Sequence, residues 1–105
     1  IARAGWIGDY NDPNTFLDMW VTDGGHNNTG WSSERYDELI KLAAAESDQK
    51  KRFEYFHECE KILGEEMPMI PIYIYVSSSL RHSSVRGWHP TVLDHHPYKY
   101  VRLEE

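Results

Sequence analysis

Two aspartates three positions apart offer the first candidate chemistry, in the stretch Asp9-Tyr10-Asn11-Asp12-Pro13. Paired carboxylates can hydrolyse a substrate when one stays protonated and the other ionised on either side of it. In a segment this rich in turn formers, running on through Asn14 and Thr15, aspartates more commonly bond their own backbone. For Asp12, beside Pro13, the turn role is preferred. For Asp9, with Arg3 and Trp6 close by in sequence, the turn and functional roles stand level. A small hydrolase using Asp9 and Asp12 is therefore one reading of the chain.

The six histidines invite a metal, but their spacing does not support one. His57 has no histidine one helical turn away, and His95-His96 are adjacent, which on a strand sends them to opposite faces. No H-x-x-x-H or H-x-x-E-H pattern occurs, so neither a metal site nor a cofactor is expected. Cys59 is the only cysteine, so it forms no internal disulfide and no multi-cysteine zinc site. Its neighbours in Phe56-His57-Glu58-Cys59-Glu60 are acidic or aromatic and supply nothing to lower its pKa. It reads as a small buried helix residue. Asn27-Asn28-Thr29 has the N-glycosylation pattern. A glycine-rich phosphate loop, a nucleophile elbow and a redox pair are all lacking.

The elements that must hold these residues follow from periodicity. Asn14 or Thr15 is expected to cap a short helix through Phe16, Leu17, Met19 and Trp20, followed by a polar loop from Thr22 to Gly30. Ser33 is an N-cap, and Glu34, Asp37 and Glu38 suit the positive end of a helix dipole. Tyr36, Leu39, Ile40 and Ala43 share one apolar face. That helix ends near Glu46, and Ser47 or Asp48 caps the next. Phe53, Phe56, Cys59 or Glu60, and Leu63 mark the second helix's buried side, and the helix stops before Pro68. With so short a connection, helices over 33–46 and 48–66 pack as an antiparallel hairpin. Met67 to Val76 is nearly all apolar but holds Pro68 and Pro71, which forbid a helix interior; Ile70 to Val76 reads as a strand with buried faces. Gly87-Trp88-His89-Pro90 is a turn, and Tyr98 to Leu103 a short closing strand.

Composition bounds the rest. The 105 residues suffice for one small domain with a modest core. A net charge of −6 argues against a nucleic-acid partner, which needs a basic face. No apolar run approaches the ~18 residues of a membrane span. The chain opens on Ile1 rather than Met, so its natural start is expected to lie upstream.

Several segments, in order, resemble one family. They are Arg3-Ala4-Gly5-Trp6-Ile7-Gly8-Asp9-Tyr10-Asn11-Asp12-Pro13 with Phe16-Leu17; Asn27-Asn28-Thr29-Gly30-Trp31-Ser32 leading into Tyr36-Asp37-Glu38-Leu39-Ile40; Met67-Pro68-Met69-Ile70-Pro71-Ile72-Tyr73; and Leu93-Asp94 with Tyr98-Lys99-Tyr100-Val101. Together they resemble the C-terminal portion of bacterial extracellular oligopeptide-binding proteins, the receptors of peptide-importing ABC transporters. Cys59 departs from the small residue usual there, and Glu34 stands where a helix-starting proline is common.

The resemblance implies an α/β piece of a two-lobed, periplasmic-binding-protein-like fold, with two helices and a few strands. Residues 1–70 would end the distal lobe, and residues 71–105 would supply the crossover strand and the C-terminal end of the other lobe. It implies a receptor that binds an oligopeptide and hands it to an ABC permease without catalysis. Such a receptor is periplasmic or lipid-anchored on the outer face of the cytoplasmic membrane. By position, Asp9 would take the ligand's α-ammonium, Trp6 would line a pocket, backbone at Gly5 and Ile7 would pair with the peptide, and Arg3 would face a peptide carboxylate. A same-family receptor for a non-peptide ligand is the other branch. The Asn27 pattern would go unmodified in a bacterial protein. Without its lobe partners, the chain is expected to expose apolar surface around Ile70–Val76 and so to self-associate or to depend on contacts outside the chain.

Overall fold

The computed structural model describes residues 2–91 and 93–104. A one-turn helix α1 (Asn14–Leu17) runs into a 3-10 turn (Asp18–Trp20). Helices α2 (Glu34–Ala45) and α3 (Gln49–Glu66) follow, then β1 (Val85–Arg86), a second 3-10 turn (Tyr98–Tyr100) and β2 (Arg102–Leu103). The chain is mixed α and β, dominated by its helices.

Each long helix starts where its capping residue places it. Ser33 has extended backbone, and its hydroxyl accepts from the Tyr36 amide. The Asp48 carboxylate accepts from the amides of Lys50 and Lys51. These bonds satisfy donors that an uncapped first turn leaves open. At the far end of α3, Met67 turns into the left-handed region at φ 48° and donates its amide to the Leu63 carbonyl, just ahead of Pro68.

The two helices form the expected antiparallel hairpin. Tyr36, Leu39 and Ala43 of α2 meet Phe56, Cys59 and Leu63 of α3, with Leu17 of α1 in the same cluster. Arg35 near the start of α2 bonds Glu58 at the middle of α3, while Arg52 near the start of α3 bonds the Ala43 carbonyl late in α2, which fixes the opposed directions. The Tyr36 hydroxyl donates to the Leu17 carbonyl at 2.6 Å and ties α1 to the hairpin. Two details of the expected face differ. Phe53 is exposed, and of the pair Cys59 and Glu60 only Cys59 is buried. At the hairpin corner Arg52 lies over the Phe56 ring at 4.6 Å, and the Phe53 ring meets Phe56 edge-on with centroids 6.5 Å apart.

The short helix also starts differently. Pro13 occupies its N-cap position, already helical at φ −56° and ψ −28°, and no side chain caps it. Proline's fixed φ begins the helical conformation one residue early. Thr15 thus sits inside the turn, buried, and its hydroxyl is used elsewhere.

Ile70 to Val76 is not a strand with buried faces. It has no ladder partner among the described residues, and Ile72 and Ile74 are 84% and 90% exposed. Pro68 and Pro71 lack donors, and no described element lies alongside to accept the apolar faces. The expected exposure of this segment is therefore present. Tyr98 to Leu103 is likewise only partly strand. After Pro97 the chain makes a 3-10 turn, and only Arg102–Leu103 pairs, antiparallel, with Arg86 and Val85. Consequently His95 and His96 do not lie on a strand. The bend at Gly87 needs glycine: φ is 77°, and a Cβ there would stand 1.8 Å from the Tyr100 carbonyl oxygen.

Among the described residues, no hydrophobic side chain beyond Leu63 is buried. The radius of gyration, 18.0 Å, exceeds the roughly 13 Å of a compact chain this long. The core thus belongs to the helical part, and the later segments extend from it.

Candidate ligand-binding loop

The loop from Trp6 to Asp9 is built on α1. Gly8 is buried against it: a Cβ there would lie 3.1 Å from the Phe16 ring and 3.2 Å from the Thr15 methyl. A side chain at this position would press on both neighbours, which glycine avoids. Thr15 is 2% exposed, and its hydroxyl oxygen accepts two bonds, from the Asp9 amide at 3.0 Å and from the Trp6 indole Nε1–H at 3.4 Å. The half-buried Trp6 ring tilts at 59° against His26, with centroids 4.6 Å apart.

This arrangement leaves the Asp9 side chain exposed on a backbone that is pinned beneath it. The structure brings Trp6 and Asp9 onto one anchor, Thr15. It does not join Arg3, Gly5 and Ile7 to them. All three are exposed, and no hydrogen bond links Arg3 to Asp9 among the described residues.

Asp12 has a different task. One oxygen accepts from the Asn14 amide, the expected Asx turn. Both oxygens also receive Arg52, at 2.6 and 2.8 Å. The Arg52 hydrogen bonds hold the Asp12 carboxyl below the usual carboxylate range, against a smaller opposing effect of burial. A carboxylate held ionised by a bidentate guanidinium is a poor proton donor, so Asp12 is unsuited to the acid role in the hydrolase reading. The same loop forms one wall of an open hollow of about 520 Å³, faced by Gln49 and Phe53 of α3.

The 22–30 loop is organised by Asn27. Its amide donates to the carbonyls of Trp20, Val21 and Trp31, and its side-chain oxygen accepts from Thr29. The nitrogen that the glycosylation pattern singles out is thus engaged inside the loop.

Toward the end of the chain, His96 stacks on Trp88 with centroids 4.3 Å apart, and its Nε2 lies 3.1 Å from Asp94. Ser77 donates to the other Asp94 oxygen. The Ser77 and His96 bonds hold the Asp94 carboxyl below its ordinary range. No group of three metal-ligating side chains forms among the described residues. Cys59 is buried, and desolvation pushes its thiol up to about 11.

Sequence reasoning missed Arg52, which lies 40 positions from Asp12. It also missed His26, placed only in a polar loop, and the use of Thr15 as an anchor. Gly8 carried a signal, since an isolated glycine in an extended stretch can mark a close backbone approach.

No family model matches the chain. Among individual proteins, it is 37% identical over 103 residues to the dipeptide-binding protein DppE of Bacillus subtilis, covering 98% of this chain and 18% of that protein. The oligopeptide-binding protein OppA of the same organism is 38% identical over 83% of this chain and 16% of its own length. The probable deoxycholate-binding periplasmic protein YgiS of Escherichia coli is 31% identical over the whole chain and 19% of its own length. The chain thus spans less than a fifth of these relatives, and along most of its own length it is homologous to the bacterial dipeptide- and oligopeptide-binding proteins.

Proposed function

We propose that the chain is part of an extracellular receptor that binds oligopeptides and delivers them to an ABC permease, without catalysis. The observation that carries this is 37% identity to a dipeptide-binding protein over 98% of the chain. The loop geometry fits it: an exposed Asp9 carboxylate stands on a pinned backbone beside the Trp6 ring. In this reading Asp9 takes the peptide's α-ammonium and Trp6 walls a side-chain pocket. Backbone at Gly5 and Ile7 pairs with the peptide, and Arg3 faces its carboxylate. The whole protein is a two-lobed receptor, periplasmic or lipid-anchored outside the membrane. Residues 1–70 belong to one lobe, and residues 71–105 cross to and close the other.

A short aspartate suits the ammonium role. A charge enclosed between closed lobes is tolerated only when paired, and a short side chain loses little rotamer entropy in being held. In the full-length protein, Asp9→Ala should weaken peptide binding by about 2–5 kcal/mol, as for other truncated buried charge pairs. The test is a cycle of free against N-acetylated peptides on wild type against Asp9→Ala, read by calorimetry. Acetylation should cost the wild type heavily and the mutant little more. Costs that simply add would mean that Asp9 does not read the amino terminus.

A non-peptide ligand remains a second reading, favoured by the 31% identity to a probable deoxycholate-binding protein over the entire chain. Mass spectrometry of small molecules that co-purify with the full-length protein separates the two.

A further inference from the structure

We infer that Thr15 is the positioning residue of the ligand loop, its hydroxyl setting the place of both Trp6 and Asp9. This inference rests on the reading of Asp9 given above and extends it to a residue that would not touch the ligand.

The reason is a matter of donors and acceptors. A hydroxyl oxygen offers two lone pairs. At Thr15 one takes the Asp9 amide and the other the Trp6 indole N–H, at 3.0 and 3.4 Å. Thr15 itself is 2% exposed, and Gly8 packs on its methyl group, so the side chain has no freedom to turn away. The Asp9 amide belongs to the residue whose carboxylate is to meet the ligand, and the indole belongs to the wall beside it. One atom therefore sets the distance between a charge-reading group and a pocket wall. His26 lies against the ring of Trp6 with centroids 4.6 Å apart. Valine at position 15 would keep the shape and remove the acceptor, leaving two N–H groups facing a methyl. Serine would keep the acceptor.

The experiment uses the full-length protein that carries this chain, as wild type, Thr15→Val and Thr15→Ser. Hydrogen exchange read by mass spectrometry over the segment from Arg3 to Thr15 reports the positioning directly, without any ligand. Protection should fall in Thr15→Val and stay near wild type in Thr15→Ser. Binding is read with a defined pool of tri- to pentapeptides, free or N-acetylated. Thr15→Val should weaken the free peptides by about fivefold or more, the size expected for losing a buried hydrogen-bond acceptor, and the acetylated peptides much less. Thr15→Ser should restore most of the difference.

Unchanged exchange in Thr15→Val would overturn the proposal, as would equal losses in Val and Ser variants, or equal losses for free and acetylated peptides where the wild type tells the two apart. If exchange responds as expected but the wild type does not distinguish free from acetylated peptides, the positioning role stands and the ammonium role of Asp9 falls.

Discussion

The Arg52–Asp12 pair ties the ligand loop to the helical hairpin, and its strength can be worked from its geometry. The two terminal guanidinium nitrogens each meet one carboxylate oxygen, at 2.6 and 2.8 Å, with the two side chains 24% and 26% exposed. Fully exposed pairs contribute about 0–1 kcal/mol, and breaking a buried one costs about 3–5 kcal/mol. Partial exposure with bidentate geometry places this pair between them, at about 1–2 kcal/mol. Arg52 also donates to the Ala43 carbonyl and lies over Phe56, so Arg52→Met alone would lose more than the pair. A double-mutant cycle removes that excess. Asp12→Asn keeps an acceptor for the Asn14 amide while discarding the charge. Urea unfolding followed by helical circular dichroism, on wild type, each single variant and the double, should give a coupling of about 1–2 kcal/mol at neutral pH.

The pH dependence has a definite sign. Arg52 lowers the folded carboxyl value of Asp12 below its unfolded one. The contribution is therefore complete above about pH 4, the unfolded range, and is lost as the pH falls through the folded value. A coupling within about 0.3 kcal/mol of zero at neutral pH would refute the reasoning, being no larger than the error of additivity. So would a coupling that survives unchanged after the carboxylate is protonated.

Three further outcomes are expected. Tyr36→Phe strands the buried Leu17 carbonyl that the hydroxyl reaches at 2.6 Å, and should cost about 1–3 kcal/mol in urea unfolding. Burial pushes the Cys59 thiol up to about 11, so at neutral pH an aromatic disulfide reagent should react slowly with native protein and fast once denaturant opens the hairpin. Gly87→Ala puts a methyl 1.8 Å from the Tyr100 carbonyl at a positive φ, so the β1–β2 pairing should open and the Glu104 amide, which donates to the Ser84 carbonyl, should lose exchange protection by NMR.

What the sequence by itself determined is local in origin. Ser33 and Asp48 mark the helix starts because a capping oxygen needs only the next few amides. The 3.6-residue spacing of Tyr36, Leu39 and Ala43 predicts their face, and the short connection between the helices forces the hairpin. The segments resembling peptide-binding proteins pointed to the relatives that 37–38% identity then provided, because ordered motifs over most of the chain are specific together. Other features depend on partners far apart in sequence or on none being present. Asp12 reads as a turn former from its neighbours, yet its charge is matched by Arg52, brought there only when α1 docks on α3. Thr15 reads as a helix cap, but proline's fixed φ at position 13 moves the helix start and turns the hydroxyl toward Asp9 and Trp6. Ile70 to Val76 has the composition of a buried strand, but a strand exists only when another backbone takes its hydrogen bonds. With none alongside among the described residues, the same apolar side chains stand in solvent.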